Sequence, residues 1–222
     1  MTKTKVLEYV KGLGEVHRSY ADFAQQIRDF NEDGIKAPVS IRDASYTRLH
    51  GNNIEYTRTC HAPVCAKDSP TIVARMSPLI KDLEMAEQAV NAHRNSQYPI
   101  FDNNKSIYAK YKKIAEADKN KSPEKRRAII LPEREDYGIH RDSDEARFFW
   151  KDTRKNYFDK FVSGDTVSCW QIPTKRVDST NGTIINYVWF NGPECGSDLD
   201  FWYRGLNNNY GALGVLRKSG EA

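Results

Sequence analysis

The sequence predicts an α+β fold in which N-terminal and central helices precede a small C-terminal antiparallel sheet. Two observations carry that expectation. Apolar residues recur at helical spacing through most of the first two thirds of the chain, and β-branched and aromatic residues crowd into short runs towards its end. With 222 residues there is room for one large core or two modest ones. The change of character suggests a helical region over residues 1–65 and an α+β domain over residues 66–222.

At the N-terminus Val6, Val10 and Leu13 are spaced for a helix that Gly14 would end. Ser19 then opens a second helix, with Asp22 in the place a capping box gives to Glu or Gln. Tyr20, Phe23, Ala24, Ile27 and Phe30 give it one apolar face, and Gly34 closes it. Ser40 with Asp43 repeats the pattern and starts a third helix through Leu49, stopped by Gly51. Residues 54–60 alternate as a short strand.

In the middle of the chain Ser77 and Pro78 form a cap and first-turn pair for a helix with Leu79, Ile80, Leu83, Ala86 and Val90 inward. Residues 106–117 form a basic helix with Ile107, Tyr111 and Ile114 inward, and Ser122, Pro123 and Glu124 start a further turn. Residues 128–131 and 137–140 read as short strands. Ser143, followed by Asp144 and Glu145, caps a long helix carrying Phe148, Phe149, Tyr157, Phe158 and Phe161.

Residues 166–172 and 183–190 read as a hairpin about a turn at 178–182, with 212–216 as its third strand. In the second of these runs Ile185, Tyr187 and Trp189 share one face while Ile184, Val188 and Phe190 share the other. That strand is expected to be covered on both sides, by helices and by a further layer such as a partner subunit. The aromatic set Trp170, Tyr187, Trp189, Phe190, Phe201, Trp202, Tyr203 and Tyr210 reads first as core, with a stacking platform or protein interface as the alternative.

The net charge is +4, which permits a nucleic-acid partner without demanding one. Its distribution is uneven: residues 105–127 hold nine basic side chains against three acids. Cys60, Cys65, Cys169 and Cys195 are too few and too irregular for a disulfide framework, so reduced thiols in a cytoplasm are expected. The spacing is poor for a four-thiolate zinc site, and buried free thiols are favoured. Apolar runs are far shorter than the roughly 20 residues needed to cross a bilayer. No nucleotide-binding glycine loop, serine nucleophile elbow or His-Glu-x-x-His pattern is present, so familiar enzyme classes lack support and no cofactor is expected.

One segment carries a more specific signal. The run from Ser19 to Ala24, followed by Ile27, Asn31, Gly34 and Ile35, then Ala37, Pro38 and a Ser40-capped helix ending in Arg48 and Leu49, resembles the helix-turn-helix of serine site-specific recombinases. The resemblance covers residues 19–51 and no catalytic domain. It implies that the second helix lies in the major groove of duplex DNA, held there by the first. Arg42, Tyr46 and Thr47 would then face outward or lie at the boundary, and Lys36 and Ser40 would contact phosphates. Arg48 falls nearer the inward side, where its guanidinium would need to snorkel. Lys112, Lys113, Arg126 and Arg127 would add phosphate contacts from the basic stretch.

The expected function is therefore a non-enzymatic, cytoplasmic DNA-binding protein of a phage or mobile element. Its partners would be double-stranded DNA, a protein bound through the C-terminal sheet, and a second copy in a homodimer. One alternative is a protein-binding inhibitor or assembly factor. Another is a metal-dependent nuclease built on His140, Asp142, Asp144 and Glu145, with Glu133, Glu135 and Asp136 nearby.

Overall fold

The computed structural model of the protein describes residues 3–51, 56–102, 105–201, 206 and 211–216. The first third contains β1 (Lys5–Val10), β2 (Gly14–Ser19), α1 (Phe23–Glu32), α2 (Ile41–His50), β3 (Thr57–Arg58), β4 (Ala62–Ala66) and β5 (Ile72–Ala74). The middle holds α3 (Pro78–Lys81), α4 (Leu83–Arg94), α5 (Ser106–Asp118), β6 (Ala128–Ile130), β7 (Tyr137–His140), α6 (Asp144–Trp150) and α7 (Arg154–Phe161). The last part holds β8 (Thr166–Trp170), α8 (Thr174–Asp178), β9 (Thr183–Ile185), β10 (Trp189–Phe190), β11 (Leu199–Asp200) and β12 (Ala212–Leu216).

Strands from the whole length of the chain organise the fold. Eight form one sheet in the order β1-β2-β12-β3-β10-β11-β8-β7, and four form a second in the order β6-β5-β4-β9. The expected small sheet at the C-terminus is thereby corrected to a large mixed sheet closed by both ends of the chain. Towards one edge the two ends of the chain meet in the antiparallel pair β2 and β12, with Ser19 opposite Ala212 and Glu15 opposite Leu216.

The predicted first helix is a hairpin. β1 and β2 pair antiparallel across a turn in which Gly12 has φ 80° and Gly14 φ 122°, backbone states that side chains disfavour. Val6, Val10 and Leu13 do not share a face, since Val10 and Leu13 are buried and Val6 is half exposed. Ladder hydrogen bonds on both edges of β2 outweigh a short helical periodicity. The second helix starts later than predicted: Asp22 is its cap, with Oδ1 accepting from Gln25 N at 3.0 Å, and Ser19 ends β2. The third helix forms as read, capped by Ser40.

The predicted hairpin of residues 166–172 and 183–190 does not form. β8 joins the large sheet between β7 and β11, α8 intervenes, and β9 pairs with β4 in the small sheet. The two-sided apolar pattern that suggested a partner layer is satisfied within the chain. Along the small sheet Val64, Ile72, Ala128 and Ile185 enter one core while Cys65, Val73, Ile129 and Ile184 enter the other. The period-2 alternation makes this sheet a partition between two cores. One core contains α6 and α7 with Trp150, Tyr157 and Phe190; the second contains α1, α4 and α5 with Phe23, Tyr187 and Trp189. Ile54 and Glu55 of the predicted strand, and Trp202, Tyr203 and Tyr210 of the aromatic set, lie outside the described residues. Of the rest of that set, only Trp170 is substantially exposed.

Candidate functional site

The residues expected to touch DNA are mostly committed to the protein itself. α2 packs against α6 and α7, and Thr47 and Arg48 are buried. Arg42 lies along the surface: its Nε and Nη2 donate to Asp152 Oδ1 and Oδ2 at 2.8 and 2.7 Å, and its Nη1 donates to Asp43 at 3.1 Å. These bonds, Asp152 first, hold the guanidinium charge on more firmly than usual. Tyr46 stacks beneath it at 4.9 Å and donates its hydroxyl to the Lys11 carbonyl at 3.1 Å. Thr47 Oγ1 donates to the Asp43 carbonyl, and Ser40 Oγ accepts from Asp43 N.

Arg48 needs no snorkel. It is 3 % exposed, donates to Tyr157 Oη at 2.6 Å and to the Phe190 carbonyl at 3.3 Å, and lies 4.0 Å from the Phe190 ring centroid. Burial pulls its pKa below the ordinary arginine value. The expected phase holds for Arg48, whose inward cation is a core residue, while Thr47, expected outward or at the boundary, is buried beside it.

In the basic stretch, Arg126 donates to Asp144 and to the carbonyls of Lys119 and Lys121, while Arg127 grips Asp118 with two nitrogens. Lys36, Lys112 and Lys113 are exposed. They belong to different packing groups, because α5 sits on β4, β5 and β6, away from the α6 and α7 layer that holds α2. A recognition helix with a continuous basic flank is not what the fold builds, and the helix-turn-helix reading is overturned.

The other constellations are also absorbed. Cys60, Cys65 and Cys169 are buried and Cys195 is exposed. Burial pushes the Cys60 and Cys65 thiols up to about 12 and the Cys169 thiol well above its ordinary value, which leaves them poor nucleophiles. Asp144 serves Arg126, Asp142 lies 3.6 Å from Arg154, and His140 Nδ1 accepts from Asp142 N. Among the described residues no three His, Cys, Asp or Glu side chains converge to hold a metal.

A different place has the form of a site. Between the C-terminal half of α4 and α8 lies an open cleft of about 840 Å3, within the range common for ligand sites. One wall is a row of amides, Gln88, Asn91 and Asn95, spaced three and four residues apart and so stacked along one face of α4. The opposite wall carries Lys175, Arg176 and Ser179. Tyr98, Pro99, Ile100 and Pro173 give an apolar stripe. A second depression of about 370 Å3 shares Gln88 and Ile100 and continues the cleft towards the start of α5.

Local sequence explains this geometry. α4 buries Ala86, Ala89 and Val90, which turns the amide row to the surface. It ends in a Schellman turn: Ser96, at φ 57°, donates its N–H to the His93 carbonyl, and Gln97 N–H donates to the Ala92 carbonyl at 2.9 Å. The reversed chain then runs along β9, with Phe101 N–H donating to the Thr183 carbonyl at 2.9 Å and Ile100 bridging Ile184. Gly182 permits this approach, because a Cβ there would meet Ile100 Cγ2 and the Phe101 carbonyl at 2.6 Å. α8 is pinned from below. Asp178 pairs with Arg134 at 2.5 Å and accepts from Asp68 N, Thr174 donates to the Arg134 carbonyl, and Val177 is buried.

The electrostatics of the cleft are one-sided. Among the described residues no carboxylate lines its main chamber, and both of its cations are exposed and have no acidic partner. The sequence did hold a signal for this: residues 88–100 contain no Asp or Glu and five Asn, Gln or Ser side chains. Its significance lay in the pairing with residues 173–180, which only the fold brings together.

Neither a protein-family model nor a curated protein matches the chain. A solved structure aligns with 94% of this chain and 100% of its own length at TM-score 0.61 and 10% sequence identity. It is described in the words "Accommodation of massive sequence variation in Nanoarchaeota by the C-type lectin fold". The chain is therefore similar in architecture to a protein of the C-type lectin fold, and the likeness is one of fold alone.

Proposed function

We propose that this chain is a non-catalytic binding protein that receives a segment of another protein in the cleft between α4 and α8. The observation that carries the reading is the cleft itself: an amide row, an apolar stripe and two uncommitted cations, with no carboxylate among its lining residues. Amide side chains donate and accept at once, so a row of them suits the alternating N–H and C=O groups of a peptide backbone. The apolar stripe offers a place for a side chain to lose water.

The scaffold supports this division of labour. Two cores flank a central sheet and fix both walls, while the cleft residues themselves stand at the surface. Buried protonated thiols suit a reducing compartment such as a cytoplasm. No helix among the described residues is long and apolar enough to cross a membrane.

The test is an unbiased peptide-display selection against the full chain, repeated on Asn91→Trp, which places an indole in the cleft from an exposed helical position. The reading expects enriched peptides that bind the parent chain and not the variant. Enriched peptides that bind both equally, or none at all, would sink it.

A further inference from the structure

We infer that the segment taken up by this cleft is acidic and extended, with carboxylates held by Lys175 and Arg176 and its backbone laid along Gln88, Asn91 and Asn95. This rests on the reading of the cleft as a peptide site and adds the chemistry of the partner.

Charge sets the first half of the inference. Exposed and half-buried arginines elsewhere on the protein are matched by carboxylates: Arg42 by Asp152, Arg126 by Asp144, Arg127 by Asp118 and Arg147 by Glu124. The acids beside the cleft are likewise spent, Glu87 on Arg28, Asp22 on Arg94 and Asp178 on Arg134. Lys175 and Arg176 are exceptions to this pairing. They stand side by side on a short helix whose buried Val177 and paired Asp178 fix it, so the two charges are presented from a held backbone. A cleft with concave walls and one sign of charge focuses the field and draws in a ligand of the opposite sign.

Shape sets the second half. Gln88 and Asn95 are seven positions apart on α4, a rise of about 10 Å. An extended peptide covers that length in roughly three residues. The main chamber and the adjoining depression form one path past Ile100, so a chain entering beside Arg176 can continue towards Ile107. Asp102 in the second chamber is already engaged as the cap of α5, accepting from Ser106 Oγ and Ile107 N at 2.6 Å each. Those bonds hold its negative charge in place, so the carboxylates of the segment belong in the main chamber, beside Lys175 and Arg176. Pro99, Ile100 and Pro173 favour an apolar residue between the acidic ones.

Fluorescence anisotropy with the full chain tests this. The probe is a labelled peptide of repeating Glu-Glu-Leu, with its Gln-Gln-Leu counterpart, free glutamate and a random DNA duplex as competitors. The inference expects the acidic peptide to bind about tenfold or more tightly than the amide peptide. It also expects loss of that preference in Lys175→Glu/Arg176→Glu, and its reversal when the charge-reversed chain meets a Lys-Lys-Leu peptide. Competition by free glutamate at similar concentration would assign the site to small organic acids and overturn the peptide claim. Competition by duplex DNA that survives the charge reversal would place the binding elsewhere. If the amide peptide binds as well as the acidic one and Asn91→Trp blocks both, the acidic inference fails while the peptide-site reading stands; if no peptide binds, both fail.

Discussion

The molecule handles its cations in two opposite ways. Around the large sheet Arg48 and Arg58 are sealed in the protein, 3 % and 0 % exposed, laid on aromatic rings and bonded to carbonyl or hydroxyl oxygens. Beside the small sheet Lys175 and Arg176 stand at the rim of a cleft whose described lining residues include no carboxylate, the neighbouring Asp178 being paired with Arg134. The first arrangement is costly to break, because a buried charge gives up hydration that only its neighbours replace. The second costs the folded state little and leaves the charge available to a ligand. Residue type alone does not separate the two roles; what surrounds the charge does.

The sharpest way to break this contrast is to remove one cation from each region. Arg48→Ala should lower the unfolding free energy by about 3–5 kcal/mol, since it leaves a cavity and an orphaned carbonyl in a packed aromatic cluster. Chemical denaturation measures it. A loss near that of a surface substitution would show that Arg48 is not the structural residue described above. Lys175→Ala and Arg176→Ala should each change stability by less than about 0.5 kcal/mol.

A second effect belongs to the large-sheet side. His61 is 1 % exposed and lies edge-on to Phe148 and Phe149. Burial, helped by Arg75 and Lys151, pushes its pKa down to about 3 from an ordinary 6.5. The folded chain therefore keeps His61 neutral while the unfolded chain takes up a proton below about pH 6.5. Stability is full above that pH and falls as pH drops towards 3, by up to about 1.4 kcal/mol per unit. Denaturation midpoints for the parent and His61→Phe should diverge between pH 6.5 and 4. Parallel pH profiles would contradict the assignment.

The smallest effect lies at the cleft wall. Ser96 occupies a left-handed position where glycine is usual, so Ser96→Gly should raise stability by about 0.5–1 kcal/mol. A loss instead would mean that the serine side chain holds the turn.

How far the sequence could be read follows the same division. Helices with strong caps were legible: Ser40 accepts from Asp43 N, Ser143 from Ala146 N, and α5 begins at Ser106 as its apolar spacing required. Local hydrogen bonds and nearby side chains settle such elements. Strand membership was not legible, because β2 and β12 pair across almost the full length of the chain and β8 and β9 part company although adjacent in sequence. The N-terminal hairpin was mistaken for a helix because three apolar residues over eight positions fit either period. The inward direction of Arg48 was legible from helix phase, and the structure replaces the expected snorkel with full burial.

The surroundings of the expected site residues were hidden for a related reason. The cleft residues were inconspicuous amides, and their partners lie some eighty positions away on α8.

The most direct test of the cleft as the binding surface is backbone hydrogen exchange of the full chain with and without the Glu-Glu-Leu peptide at saturation. Protection should rise at residues 88–101 and 173–180 and stay unchanged over α2 and α5. Protection centred on α2 or α5, with the cleft unaffected, would return the function to the surfaces set aside above and contradict the cleft.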